Sequence, residues 1–195
     1  MNATRSNTAV STHYLLRMLC EGALLVALCQ IVDMFPLWKM PWGGTVSLCM
    51  VPFFLFTCRW GAGWGLLAGF VLGVLQFMAA GGIAIGWQSI LGDYVIAYMV
   101  LGVAGLFRGK KWSIYAGTTV GCAARFLVHY VVGATVWAEY MPETFFGMTM
   151  TTPWFYSLLY NGFYMVLDWL LCMVIYALLM RNSRMRWYLT AEDLH

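Results

Sequence analysis

The most specific chemistry in this sequence lies in one row of side chains spaced by four. The segment RFLVHYVVGATVW places a cation, an imidazole, a glycine and an indole in order: Arg125, His129, Gly133 and Trp137. Residues four apart lie on one face of a helix, so these would form a slowly winding stripe. A gap beside a large aromatic face suits a flat ligand that stacks. The competing interpretation is an ordinary packing face, with Arg125 paired to an acid.

Two further segments add polar groups. LGDYVIAY supplies Asp93 and Tyr94, and this carboxylate would either pair with Arg125 or hold a cationic ligand. In YSLLYNGFY, three tyrosines share one helical face and an amide lies among them: Tyr156, Tyr160, Tyr164 and Asn161. Tyrosines are also common at membrane interfaces, but a buried amide needs hydrogen-bond partners. Together these groups predict a pocket, open to the outside, for a small aromatic and partly cationic molecule.

The elements that must position these groups are membrane helices. Hydrophobic residues make up 62% of the 195 residues and charged ones only 10%, whereas soluble domains carry roughly 25% charged residues. A spanning helix needs about 20 mostly apolar residues. We therefore predict an all-α integral membrane protein, one domain over 1–195, with six transmembrane helices at about 14–35, 45–58, 62–80, 87–107, 112–137 and 153–180.

Basic residues predict the orientation. With six spans, nine of them fall on one side: Arg5, Arg17, Arg59, Arg108, Lys110, Lys111, Arg181, Arg184 and Arg186. The opposite side has Lys39, Glu139 and Glu143. Since cytoplasmic loops are enriched in lysine and arginine, both termini are expected in the cytoplasm and the chain in the cell membrane.

Three other acids lie within the predicted spans. Glu21 follows Arg17 by four residues, which predicts a weak local ion pair. Asp33 is expected to face water or to cap the adjacent loop. Asp168 lies deeper, with Arg125 or a hydroxyl as its candidate partner.

Several classes of function are disfavoured. The six cysteines lie in apolar stretches without a CxxC pair, so neither disulfides nor a metal site is predicted. HExxH, GxSxG and P-loop motifs are absent from the sequence, which argues against an enzyme, a cofactor and ATP hydrolysis by this chain alone. The basic residues are distributed over the loops on one side of the membrane and do not form a single patch, so nucleic-acid binding is not expected.

Small residues predict close helix contacts. Gly61, Gly65, Gly69 and Gly73 repeat every four residues, and Ala23 and Ala27 form a small-xxx-small pair. Packing inside the bundle is the commoner explanation for both. A contact between subunits is the alternative for the alanine pair.

In the order of its motifs, the chain resembles the thiamine-specific substrate-binding subunits, or S components, of energy-coupling factor transporters. The matching segments run along nearly the whole chain: EGALLVALC, MPWGGTVSLCMVP, RWGAGWGLLAGFVLGVLQF, LGDYVIAY, RFLVHYVVGATVW and YSLLYNGFY. The resemblance implies that thiamine binds at Asp93, Tyr94, Arg125, His129, Gly133, Trp137, Tyr156 and Asn161. It also implies a tryptophan over the ligand in the first loop, Trp42 or alternatively Trp38.

The resemblance further implies partners. Ala23 and Ala27 match the AxxxA motif by which such subunits dock on a membrane coupling subunit, and two ATPase subunits complete the importer. Two alternatives stay open. One is a binding subunit for another vitamin, such as riboflavin or a thiamine precursor, although neutral riboflavin would not need the pocket acid. The other is a solitary transporter coupled to protons through Asp93 or His129.

Overall fold

The computed structural model describes residues 12–40, 44–82, 84–110 and 112–190. Helices dominate these ranges: α1 Thr12–Asp33, α2 Met50–Trp60, α3 Ala62–Ala79, α4 Trp87–Phe107, α5 Ser113–Thr135, α6 Pro153–Leu179 and α7 Ser183–Thr190. Two short antiparallel hairpins complete the fold: β1 Trp38–Lys39 with β2 Thr45–Val46, and β3 Thr144–Phe145 with β4 Met148–Thr149.

Within the described ranges, four helices are long and apolar enough to cross a membrane, namely α1, α3, α4 and α6. Helix α5 has 23 residues, but Arg125 and His129 lower its hydropathy. Helix α2 has only 11 residues, which is short for a span of about 20.

The second predicted helix needs correction. It was expected over 45–58, but α2 begins at Met50 because Thr45 and Val46 pair with the strand β1. The two prolines and two glycines of 36–44 favour this turn over a helix. The helix α7, which follows the last predicted span, was not predicted. The other helix ends lie within a few residues of their expected positions.

Helix α4 is not a regular α-helix. It begins with an α-helical turn at Trp87–Ser89, widens into a π-helix at Ile90–Ile96, and ends as a 3-10 helix at Val100–Phe107. Long π and 3-10 stretches are uncommon, and π-helical turns are frequent at functional sites. The π-helical stretch carries Asp93, so the irregular part of α4 holds the acid that the sequence marked as functional.

The glycine stripe of α3 packs against α4. A Cβ atom on Gly65 would lie 3.0 Å from the Cα of Gly102, and one on Gly69 would lie 2.8 Å from the Cα of Met99. At Gly73 the obstacle is the backbone carbonyl of Tyr94. Any larger residue would push the two backbones apart, so the stripe serves packing inside the bundle. It also fixes the part of α4 that carries the site.

A hydrogen-bonded cluster ties three elements together where α2 ends. The Glu21 carboxylate accepts from Arg17 Nε at 3.0 Å, which confirms the predicted local pair. It also accepts from Arg59 Nε at 2.9 Å, Trp60 Nε1 at 2.8 Å and the Tyr188 hydroxyl at 2.9 Å. The pair is therefore part of a network that joins α1, α2 and α7, which the sequence alone did not indicate.

Candidate functional site

The helices enclose a cavity of about 700 Å³. This volume lies within the range of roughly 300–1,000 Å³ that is usual for small-molecule sites. The structure brings eight of the residues named from the sequence to its wall: Asp93, Tyr94, Arg125, His129, Gly133, Trp137, Tyr156 and Asn161. Trp42 lies outside the described residues. Trp38 is exposed and contacts the ring of Phe163 edge-on, with centroids 6.3 Å apart.

Asp93 is held by two donors, one from α5 and one from the residue two positions after its end. Its Oδ1 lies 3.0 Å from His129 Nδ1, and its Oδ2 accepts from Trp137 Nε1 at 2.8 Å. Arg125 Nε donates to His129 Nε2 at 3.3 Å. Because Nε2 accepts, the hydrogen-bond pattern assigns the imidazole proton to Nδ1, which donates to Asp93. The carboxylate thus bonds His129 rather than Arg125, so the pairing suggested from the sequence is wrong.

Arg125 has a different partner. Its guanidinium carbon lies 4.1 Å from the centroid of the Tyr98 ring, in the position of a cation–π contact. A cation over an aromatic face is stabilised without a carboxylate, which leaves the charge of Asp93 at the cavity wall.

Asn161 joins α5 to α6. Its Nδ2 donates to the His129 carbonyl at 3.2 Å and to the Ser157 hydroxyl at 3.0 Å, and its Oδ1 accepts from the Tyr164 hydroxyl at 3.0 Å. The buried amide therefore has the partners that its position requires. By bonding the backbone of His129, it also fixes the helical turn that bears the imidazole.

Gly133 permits this close contact. A Cβ atom there would lie 3.0 Å from Asn161 Nδ2 and 3.4 Å from Ser157 Cβ, and it would collide with the Ser157 hydroxyl. The space left by the glycine is therefore filled by α6 rather than left open beside the tryptophan. Gly133 still borders the cavity, so it shapes the wall while it lets the helices approach.

Tyr156, Tyr160 and Tyr164 of α6 all border the cavity and are buried, with Tyr156 and Tyr160 each 8% exposed. This burial excludes the interpretation as an interfacial belt. The Tyr160 hydroxyl accepts from the backbone amide of Gly44 at 3.1 Å. It therefore holds the described part of the first loop over the cavity.

Sequence reasoning missed much of the opposite wall. Gln30 and Asp33 of α1, Gln76 of α3, and Lys39 and Met40 of the first hairpin also border the cavity. Of these residues, the sequence had drawn attention to Asp33, which was expected to face water or to cap the adjacent loop. The capping role agrees with the structure, since Asp33 Oδ1 accepts from the Ser47 hydroxyl at 2.6 Å.

Asp168 bonds the same loop from α6. It accepts from the Ser47 backbone amide at 2.8 Å, so neither Arg125 nor a hydroxyl is its hydrogen-bond partner, contrary to the prediction. Ser47 is therefore held from two helices at once, and it positions the strand beside the cavity.

Apolar helices surround an aromatic cavity that has the carboxylates of Asp33 and Asp93 at its wall. This arrangement defines a class: a multi-pass membrane protein that binds a small molecule. The sequence matches the family described as "Thiamine transporter protein (Thia_YuaJ)" over residues 19–186. The chain therefore belongs to this family of thiamine transporters, which confirms the resemblance inferred from the motifs. It is accordingly a transporter of the cell membrane and not an enzyme, and the family's substrate is thiamine.

Individual relatives agree with the family match. The chain is 31% identical over 180 residues to the thiamine transporter ThiT of Bacillus subtilis, covering 85% of this chain and 91% of the relative. It is 26% identical over 169 residues to ThiT of Lacticaseibacillus paracasei, covering 77% and 80%. A solved structure of ThiT from Listeria monocytogenes has the same fold, with a TM-score of 0.77 and 20% identity over 88% of this chain and 97% of that one.

Proposed function

We propose that this chain is the thiamine-binding subunit of an energy-coupling factor importer. The observation that carries the proposal is the Asp93 carboxylate in an aromatic cavity of a chain from the thiamine transporter family. Thiamine carries a permanent positive charge on its thiazolium ring, and a carboxylate beside aromatic faces is complementary to it. Neutral riboflavin would leave this charge unmatched, so we favour thiamine over other vitamins.

In this proposal each element of the site has a distinct task. The thiazolium lies against Asp93, between the His129 imidazole and the Trp137 indole. The pyrimidine ring lies against the tyrosines of α6, beginning with Tyr156, and beside Tyr94 of α4. Arg125, Gly133 and Asn161 fix the positions of these groups.

We further propose six spans formed by α1 to α6, with both termini in the cytoplasm. The positively charged residues at the ends of α2, α4 and α6 support this orientation. Glu139 and Lys39 lie towards the other end of the helices, where Lys39 borders the cavity. The cavity would then open outward, and the whole chain would act as one membrane domain.

The docking surface is proposed on α1. Ala23 and Ala27 are both exposed, and so are the larger apolar side chains around them, such as Leu24 and Leu28. Two small residues four apart leave a shallow groove in this apolar face, where another helix can approach closely. A membrane coupling subunit would bind here, and its two ATPase subunits would drive thiamine release inside.

Uptake of labelled thiamine into sealed vesicles tests this proposal against the solitary transporter. We expect no accumulation by the chain alone, even with a proton gradient imposed. We expect ATP-dependent accumulation once the coupling subunit and both ATPase subunits are added. Inactive ATPase subunits serve as the matched control. Accumulation by the chain alone under a proton gradient would refute the importer proposal in favour of proton-coupled transport.

A further inference from the structure

The C-terminal helix α7 has two different faces. Its inner face packs into the protein through Met185, Tyr188 and Leu189, and Leu189 is only 3% exposed. Its outer face carries two arginines and a half-exposed tryptophan: Arg184, Arg186 and Trp187. A helix of eight residues is too short to be stable alone in water, so contacts of the inner face must hold it.

Tyr188 makes three of the contacts that hold α7. The guanidinium carbon of Arg59 lies 4.0 Å from the centroid of the Tyr188 ring, and Arg59 also donates to the Tyr188 carbonyl. The Tyr188 hydroxyl donates to Glu21 at 2.9 Å. Burial raises the pKa of the Tyr188 hydroxyl, so it remains a proton donor at neutral pH. The outer face of α7 is therefore presented in a fixed orientation.

The position of α7 places this outer face near a membrane surface. Helix α6 has 27 residues, which is about 40 Å at 1.5 Å per residue, longer than the hydrocarbon core of about 30 Å. Helix α7 begins after only three intervening residues. Arg186 donates to the Met180 carbonyl at 3.0 Å, which folds α7 back against the end of α6. A half-exposed tryptophan at this level is typical of the lipid–water interface.

We propose that the outer face of α7 binds the headgroups of anionic phospholipids. Residues 180–190 contain three arginines and no acidic residue, so the surface is complementary to a phosphate-rich, negatively charged leaflet. Basic side chains next to a transmembrane helix attract such lipids, by about 1 kcal/mol each. Glu192 and Asp193 follow in the sequence, outside the described residues. Binding of lipid here is independent of the identity of the transported ligand.

Native mass spectrometry of the full-length protein in a neutral detergent tests the proposal. The protein is titrated with phosphatidylglycerol or phosphatidylcholine, and bound lipid is counted. We expect a preference for phosphatidylglycerol that falls about thirtyfold in the double variant Arg184→Gln/Arg186→Gln, since two surface charges are lost. Tyr188→Phe, which frees α7 from Glu21 but keeps the arginines, is expected to reduce the preference about threefold.

Lys110→Gln is the matched control, because it removes an exposed cation that lies between α4 and α5 and not on α7. Loss of this single charge should lower the lipid preference about fivefold, well short of the loss expected in the double variant. Thiamine affinity, measured in parallel, should be the same in all variants and verifies that they fold. An equal loss with Lys110→Gln, or an unchanged preference in the double variant, would overturn the proposal. If that variant instead loses only coupled uptake, the arginines bind a protein partner and not lipid.

Discussion

Replacing Asp93 by asparagine is expected to weaken thiamine binding more than tenfold. The substitution removes the negative charge that, in the proposed function, faces the thiazolium. It also leaves one of two donors, His129 Nδ1 or Trp137 Nε1, without a full acceptor, because an amide has a single acceptor oxygen. A tenfold loss corresponds to about 1.4 kcal/mol. Isothermal titration calorimetry of the purified variant measures it directly.

Glu139→Gln is the matched control for this substitution. It makes the same carboxylate-to-amide change two residues after Trp137, at an exposed position that does not border the cavity. Its affinity should stay within about twofold of the unsubstituted protein, since exposed charges are largely screened. Equal thiamine affinities for Asp93→Asn and the parent protein would show that Asp93 is not part of the binding site.

Replacing Ala27 by tryptophan is expected to abolish coupled thiamine uptake while leaving thiamine binding within about twofold. The side chain of Ala27 is exposed, so the folded chain can accommodate the indole, whereas a helix packed closely over the alanine pair cannot. The same outcome is expected for Ala23→Trp. Uptake and equilibrium binding are measured on the same preparation, so that the two effects are separated.

Two comparisons make this test specific to α1. Ala177→Trp places the same bulk on the exposed surface of α6 and should leave uptake intact.

Cys20 is the one exposed cysteine among the six, and it precedes Ala23 by three residues. Its reaction with a membrane-permeant maleimide should slow when the coupling subunit binds. Loss of thiamine binding in Ala27→Trp would instead mean that the alanines serve internal packing.

Local patterns explain which parts of the structure were predictable. The spacing of Arg125, His129 and Gly133 is a property of one helix, so the sequence alone placed them on one face. The ends of α6 followed from Pro153, which suits a first helical turn, and from the charged residues beyond Leu179. Both signals lie within a few residues of the feature that they predict.

The missed features depend on contacts between distant segments. Asp168 bonds Ser47 across 121 positions of the chain, and Glu21 bonds Tyr188 across 167. A pattern within a short stretch of sequence cannot predict hydrogen-bond partners that lie so far apart in the chain. Similarly, the π-helical stretch around Asp93 packs on Gly73 of α3, which is a contact between separate helices. The helix period could therefore place Asp93 within α4 but could not predict its two donors.

Titration of the purified protein with thiamine, followed by tryptophan fluorescence, tests the central claim most directly. Ten tryptophans are present, and Trp137 borders the cavity. We predict saturable quenching at nanomolar thiamine, with riboflavin producing none, because only a cationic ligand matches Asp93. An unchanged fluorescence signal together with a flat calorimetric trace would contradict thiamine as the ligand of this cavity.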